Sequence, residues 1–486
     1  MQTAAQSAEA SPARERRIAW ADIYRESELI KAALRVYTKP LFAWRKALSA
    51  SSDGRSLYDF ARYGLRNLES IHRALVHRTF HFRPGLALTY NFNGKRRTLY
   101  VYPWEERIVD LLLYRLLGKR LDRYFSPHSF AYRPSGYGVD RCQRQIAQAL
   151  TVAEGPRYVI KRDIANYFPS IAHDLLEAQL ERWIERGDYL WDLVAERIHF
   201  RYMDSGSEVT AAQGIPFGTS IACLFANVYL AGVDEAVTSV PRVHYFRYAD
   251  DFLLFSSDRN AAAEAVRRLD EGLARLRLQS KPSHEQDLLF CAEKLDDDRF
   301  VWTPKFRHLG LEFRAGGPTG LSRDKFRKIC NLFRFEFRRG RAKLARIKDS
   351  QKRLRLALEL ARRTIDRGVR NIAIIDYYLK HVEDEEQLQR LDRWLAEEVL
   401  SIAFGGHRRG HFKRVGFDQL RAMGLPSLVH RRRLLRHGRL VSPFFIWTRY
   451  QETKSSRGSA ARLRRLQGLS GAAFSPHPEA AVEKAS

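Results

Sequence analysis

Phe246-Arg247-Tyr248-Ala249-Asp250-Asp251-Phe252-Leu253-Leu254-Phe255 is the stretch whose reading decides the fold. Two adjacent carboxylates lie between apolar, aromatic-rich runs, Val243 to Phe246 and Phe252 to Phe255. Short runs of that kind read as strands, and a two-residue polar interruption reads as a tight hairpin. Desolvating two like charges side by side is costly unless a cation neutralises them. A divalent metal with hard oxygen ligands is the economical reason for the pair, although an Asp-Asp turn taken alone is more often simply solvated.

Upstream, Tyr158 to Ile160 reads as a strand running into Asp163, and Ser170 to Asp174 starts a helix. An acidic residue at a strand end is where an open α/β site collects its ligands. Phe168, five positions further on, is a ring able to pack against a bound sugar. Gln213-Gly214-Ile215-Pro216-Phe217-Gly218-Thr219-Ser220 is a loop whose small residues allow close backbone approach to a ligand. It leads into an apolar helix, Ile221 to Leu230, that carries Asn227. Nearer the N-terminus, Leu86 to Tyr90 and Thr98 to Tyr102 are β-rich runs around Asn93-Gly94, a strong hairpin signal. That turn puts Lys95, Arg96 and Arg97 at a loop tip, where they either meet phosphates or stay solvated. Arg133 lies in the turn-rich stretch Ser129 to Gly138 and offers a guanidinium fork suited to phosphate oxygens. Lys281 follows an amphipathic helix, Ala261 to Leu278, and Phe306 to Phe313 is a further short strand containing Gly310.

The chain has 486 residues, 45% of them hydrophobic and 12% aromatic, so it can bury a sizeable core. Its net charge of +28 implies a polyanionic partner, nucleic acid before an anionic membrane surface. Between Leu321 and Arg370 there are 18 Lys and Arg against 5 Asp and Glu, which suits a phosphate-tracking surface. Residues 371–400 are acidic, 8 against 3, and residues 401–450 are basic again, 11 against 1. No uninterrupted apolar run approaches the roughly 20 residues of a membrane span, so no membrane partner is expected. Met1 to Arg17 lacks an apolar segment of the secretory kind, and Glu9 and Glu15 weaken a mitochondrial presequence. Cys142, Cys223, Cys291 and Cys330 are scattered, which excludes a zinc ribbon and suits a reducing, cytoplasmic setting.

Taken together these motifs resemble the reverse transcriptases, in particular prokaryotic ones akin to group II intron, retron and defence-associated enzymes. The resemblance covers roughly residues 80–315. Tyr248-Ala249-Asp250-Asp251 is similar to the family's catalytic box, and Asp163 with Tyr167-Phe168 to its first catalytic segment. Gln213-Gly214-Ile215-Pro216 resembles the nucleotide-contacting loop, Ser129 to Pro134 the fingers motif, Lys281 the later lysine, and His308-Leu309-Gly310-Leu311 the primer grip. Six such segments in order are far more specific than one.

The resemblance implies an α+β right-hand polymerase: fingers and palm with an antiparallel sheet packed on helices, a helical thumb and an extra helical C-terminal domain. It implies fingers and palm at 21–320, a basic helical thumb at 321–370 and a helical extension at 371–452, while composition suggests a disordered lead-in at 1–20 and a disordered tail at 453–486. Asp163 and Asp250 would hold two Mg²⁺ ions, or Mn²⁺ in their place, with Asp251 and Ile164 at the edge of the site. Phe168 would exclude a ribose 2′-hydroxyl, Gln213 would contact the nucleotide, and Arg133, Lys281 and one of Lys95, Arg96 and Arg97, with Arg96 standing for the three, would meet it too. His308, Leu309 and Gly310 would grip the primer.

Expected partners are an RNA template or structured non-coding RNA, a DNA product and dNTPs, with homo-oligomerisation left open. Gly218-Thr219 departs from the family's usual Ser-Pro. The retron Val-Thr-Gly thumb signature and the intron proteins' zinc-bearing nuclease are not visible. The implied activity is RNA-directed DNA synthesis, in antiviral defence or in a mobile element. An RNA-dependent RNA polymerase and a non-catalytic RNA-binding protein are the alternatives.

Overall fold

The structure is a computed structural model and describes residues 17–40, 43–92, 95–133, 136–151, 155–282, 287–366, 375–376 and 378–440. Most of the expected lead-in, the whole expected tail, the Asn93-Gly94 turn and Pro134 of the fingers motif lie outside the described residues. The end of the expected lead-in is ordered. Ile18 donates its N–H to the Trp183 carbonyl at 2.7 Å and Trp20 is buried, because Trp20 packs against Tyr24 and Tyr189.

The chain divides into two compact units. One takes the chain up to Phe306 together with Arg314–Gly316; the other takes Arg307–Phe313 and the chain from Gly317 onward.

The first unit contains nine strands among its described residues. They are β1 (Gly85–Phe92), β2 (Lys95–Val101), β3 (Arg157–Asp163), β4 (Arg201–Asp204), β5 (Ser207–Thr210), β6 (His244–Tyr248), β7 (Asp251–Ser256), β8 (Asp287–Phe290) and β9 (Val301–Thr303). A five-stranded sheet runs in the order β6-β7-β3-β8-β9, and a four-stranded sheet in the order β2-β1-β4-β5. The pairings at the centre of the larger sheet are antiparallel, as expected, but β8–β9 and β1–β4 are parallel. Ile160, Tyr245, Phe252 and Leu254 point into the main core. On the other face Phe246 stacks on Phe255 at 5.8 Å and lies 6.3 Å from Phe130. With both faces covered, the strands read as continuous apolar runs rather than alternating ones.

Beneath the sheet runs the helix Ser220–Thr238, apolar nearly all round, as befits a helix enclosed by its neighbours. It packs against the helices His173–Leu180, Trp104–Leu121 and Arg259–Arg275. Among the described residues it is the one helix long and apolar enough to cross a membrane, and most of it is buried in the core. All four cysteines are unpaired.

In the second unit β10 (Lys305–His308) ends and β11 (Leu311–Arg314) pairs antiparallel with β12 (Gly320–Leu321). The helices Arg323–Arg339, Ser350–Asp366 and Glu385–Phe404 pack together through Phe333, Leu354, Leu358, Leu391 and Leu395. The segments expected as a thumb and a separate extension therefore share one core. Asp392 ties the helix Leu428–Arg436 to it, accepting from the Leu428 N–H at 2.6 Å and the Ser427 hydroxyl at 2.7 Å.

Candidate active site

The strand register brings the three aspartates to one end of the larger sheet. Asp163, the last residue of β3, sits directly opposite Asp251, the first residue of β7. The hairpin turn between β6 and β7 is Ala249-Asp250, so Asp251 belongs to the strand rather than to the turn as the sequence suggested. The Ile164 N–H donates to the Asp250 carbonyl at 3.3 Å, and its side chain is buried. Ile164 thus joins the site through its backbone.

Like charges directly opposite on neighbouring strands destabilise a sheet. The cost shows in the proton affinities. Burial, and then the charge of Asp163, push the Asp251 carboxyl up to about 7; the same two causes raise Asp250. Lys281 offsets part of this: its ammonium lies 2.6 Å from Asp163 Oδ1 and its N–H donates to the Asp163 carbonyl at 2.7 Å. The donors are all hard oxygens, and the site is short of positive charge, which is the chemistry a divalent cation answers. Among the described residues no group of three or more carboxylate, imidazole and thiol side chains is placed to hold a metal ion by itself. Mg²⁺ commonly takes several of its ligands from substrate phosphates and water.

Arg247, which the sequence reading passed over, secures the turn. It is fully buried on β6 and bonds Asp234 on the helix Ser220–Thr238 through both Nε and Nη2, at 2.6 and 2.5 Å. Its Nη1 donates to the Ala249 carbonyl at 3.1 Å and to Asn227 Oδ1 at 3.2 Å. Ala249 has φ +60°, a left-handed conformation costing an L-residue about 1–2 kcal/mol, and the Arg247 contact helps hold it. Asp234, on a helix that is otherwise mostly apolar, was the available signal, since a buried charge needs a partner.

Phe168 is wedged edge-on between Phe217, at 5.4 Å, and Tyr132, at 6.2 Å. The loop after it is tied to its turn, with Ile215 N–H donating to the Phe168 carbonyl at 3.0 Å and Gln213 Nε2 to the Ser170 carbonyl at 3.1 Å. The β1–β2 hairpin closes over the loop, because Tyr100 N–H donates to the Phe217 carbonyl at 3.2 Å. Gly218, one half of the departure from Ser-Pro, has φ +103°, and a Cβ there would run into Leu99 Cδ1. Asp110 starts the following helix by accepting from the Ser220 and Ile221 N–H groups at 2.6 and 3.2 Å.

Two expected phosphate ligands need correction. Arg133 is buried: Nε bonds Asp122 Oδ1 at 2.7 Å, Nη1 the Ser126 carbonyl at 2.6 Å, and Nη2 the Asp122 carbonyl at 3.0 Å. Its fork braces the loop rather than facing a ligand. Alternation along β2 places Arg96 on one face and Arg97 on the other. Arg97 lies 5.9 Å from the Phe217 ring, beside the loop, while Arg96 is exposed on the far face.

His308, Leu309 and Gly310 belong to the second unit. His308 is buried, and Leu309 and Gly310 have φ of +47° and +86°. Two successive left-handed residues make the tight turn into β11, whose register this fixes.

Residues 92–313 match the family model described as reverse transcriptase (RNA-dependent DNA polymerase). The chain is similar to protein YkfC of Escherichia coli (strain K12), 27% identical over 245 residues, covering 42% of this chain and 64% of that one. It is also similar to the putative COX1/OXI3 intron 1 protein of Saccharomyces cerevisiae, 28% identical over 143 residues, covering 29% of this chain and 16% of the other. Among solved structures, telomerase from Candida albicans aligns over 75% of this chain and 69% of its own, at 9% identity and a TM-score of 0.43. The chain thus spans under two thirds of the length of both curated relatives. Residues 92–313, under half of the chain, are thus similar to the reverse transcriptase family.

Proposed function

We propose that this protein is an RNA-directed DNA polymerase that extends a primer with deoxynucleotides on a bound RNA template. The observation that supports the reading is the pairing of Asp163 with Asp251 beside Asp250, where burial and the charge of Asp163 raise the proton affinity of both Asp250 and Asp251. Asp163 and Asp250 would hold Mg²⁺, with Mn²⁺ as a substitute, and Asp251 and the Ile164 backbone would border them. When bound, the ions supply the charge that activates the primer hydroxyl and neutralises the leaving pyrophosphate.

The chain's own residues do the rest. Phe168, held by Phe217 and Tyr132, fills the space a ribose 2′-hydroxyl would need. Arg97 and Lys281 present cations to the nucleotide phosphates, and the loop carrying Gln213 forms the wall against which the nucleotide lies. Arg247 holds the Asp250 turn in place before any substrate arrives. The basic helices of the second unit suit a phosphate backbone.

Primer extension with an RNA template, dNTPs and Mg²⁺ tests the assignment. Unmodified protein should yield DNA and Asp250→Ala none; product that persists in the variant sinks it. Equal use of rNTPs by the unmodified protein would favour an RNA-dependent RNA polymerase instead. For biological role we favour antiviral defence over a mobile element, on the likeness of a domain followed directly by its own basic helical unit to the defence-associated group. Phage challenge of cells carrying the protein or Asp250→Ala checks this: equal plaque counts count against it.

A further inference from the structure

His173 opens the helix His173–Leu180 and is buried, and its Nε2 lies 2.7 Å from the Gly214 carbonyl oxygen. That oxygen can only accept, so Nε2 carries a proton. On the other side of the ring, Nδ1 stands 3.2 Å from Nδ1 of His199, with the rings edge to face. Nε2 of His199 is 2.7 Å from Glu177 Oε1, an acceptor when ionised, so it too carries a proton. With both rings neutral, the two Nδ1 lone pairs would then point at each other. One further proton between them turns that repulsion into a hydrogen bond and satisfies every contact in the row.

The row ends on a working part of the site. Gly214 N–H donates to the Ile171 carbonyl at 2.8 Å, Ile215 N–H reaches the Phe168 carbonyl, and His173 fixes the carbonyl side of the same loop. We propose that His173 and His199 are a positioning pair, holding loop 213–216 to the Phe168 turn through one shared proton and so making nucleotide affinity depend on pH.

The proposal rests on reading that loop as the nucleotide-contacting one. The charged groups facing the pair are Glu177 and Asp174, which favour the proton. Arg277, 2.8 Å from Asp174, and Arg186, 3.8 Å from Glu177, draw off part of that support. Burial lowers His173 below the ordinary imidazole range, and the contact of the two Nδ1 atoms is what the extra proton would bridge. As pH rises the shared proton leaves. Either the lone pairs then oppose each other, or the His173 proton moves to Nδ1 and the Gly214 contact is lost. Both outcomes loosen the loop.

Single-nucleotide incorporation by the full-length protein, from about pH 6 to 8.5, separates KM for dNTP from kcat. The KM of unmodified protein should rise about fivefold across the range, the worth of one hydrogen bond. His199→Ala should flatten that rise. His173→Gln, whose amide donates without titrating, should keep the low KM at every pH, whereas His173→Ala should keep the high one. Identical KM profiles in all four proteins, or a change carried by kcat alone, would overturn the pairing. If the unmodified protein incorporates nothing, the polymerase reading falls, and the pair is judged by NMR of the full chain with ¹³C-labelled histidine. Titration of His173 that changes in His199→Ala supports it; titration of His173 that ignores His199 overturns it.

Discussion

Arg247 and Asp234 meet as a two-pronged ion pair with neither side chain exposed, and the third arm of the same guanidinium holds the Ala249 carbonyl. The Ala249-Asp250 turn is thus secured from inside the protein rather than by its own two residues. Removing one partner strands a buried charge, so Arg247→Ala should destabilise the first unit by about 3–5 kcal/mol. The double variant Arg247→Met/Asp234→Leu should recover most of that stability in urea titrations, yet still lose polymerase activity, because the Ala249 contact is gone.

Gly218 lies against the end of the Leu99 side chain, which would have to shift to admit a Cβ, and its backbone is left-handed besides. Gly218→Ala should cost about 1–3 kcal/mol in thermal unfolding. Adding Leu99→Ala should recover only part of this, since trimming Leu99 relieves the clash but not the φ of +103°.

Phe168 packs edge-on against Phe217 and Tyr132, and the proposed function has its ring exclude a larger sugar. Phe168→Ala should lower discrimination between dNTP and rNTP by about 10- to 100-fold in kcat/KM. Unchanged discrimination would mean that another group excludes the 2′-hydroxyl.

Arg97 and Arg96 are neighbours in sequence on opposite faces of one strand. Arg97→Ala should raise KM for dNTP about tenfold, the loss of one charge-assisted contact. Arg96→Ala should leave it near the unmodified value. The reverse outcome would show that the hairpin rearranges when nucleotide binds.

Asp251 is raised to about 7 chiefly by burial, so the folded protein binds a proton there that the unfolded chain releases near pH 4. Between those values the native state holds more protons, and metal-free stability falls as pH rises from about 4 to about 7. Asp251→Asn should remove that fall and raise neutral-pH stability by ~2 kcal/mol without metal. Mg²⁺ should stabilise the unmodified protein more at pH 7.5 than at about pH 6, measured as the shift in unfolding temperature.

The sequence alone pointed to the three carboxylates that the strands bring together. Asp163, Asp250 and Asp251, with Phe168, Gln213 and Lys281, were legible as candidates because short strands, tight turns and clustered carboxylates leave local patterns. Local pattern also placed Arg133 and Arg96 as cations at turns and strands, but it carries no information on which acceptors a side chain finds. Only the tertiary structure spent Arg133 on Asp122 and two carbonyls, turned Arg97 rather than Arg96 toward the loop, and brought Arg247 to Asp234. It alone set Asp251 opposite Asp163 instead of in the turn, because register is decided by pairing between strands far apart in the chain. The His173–His199 row had no trace in sequence for the same reason: a hydrogen bond between distant residues follows from how helices pack, and spacing along the chain does not record it.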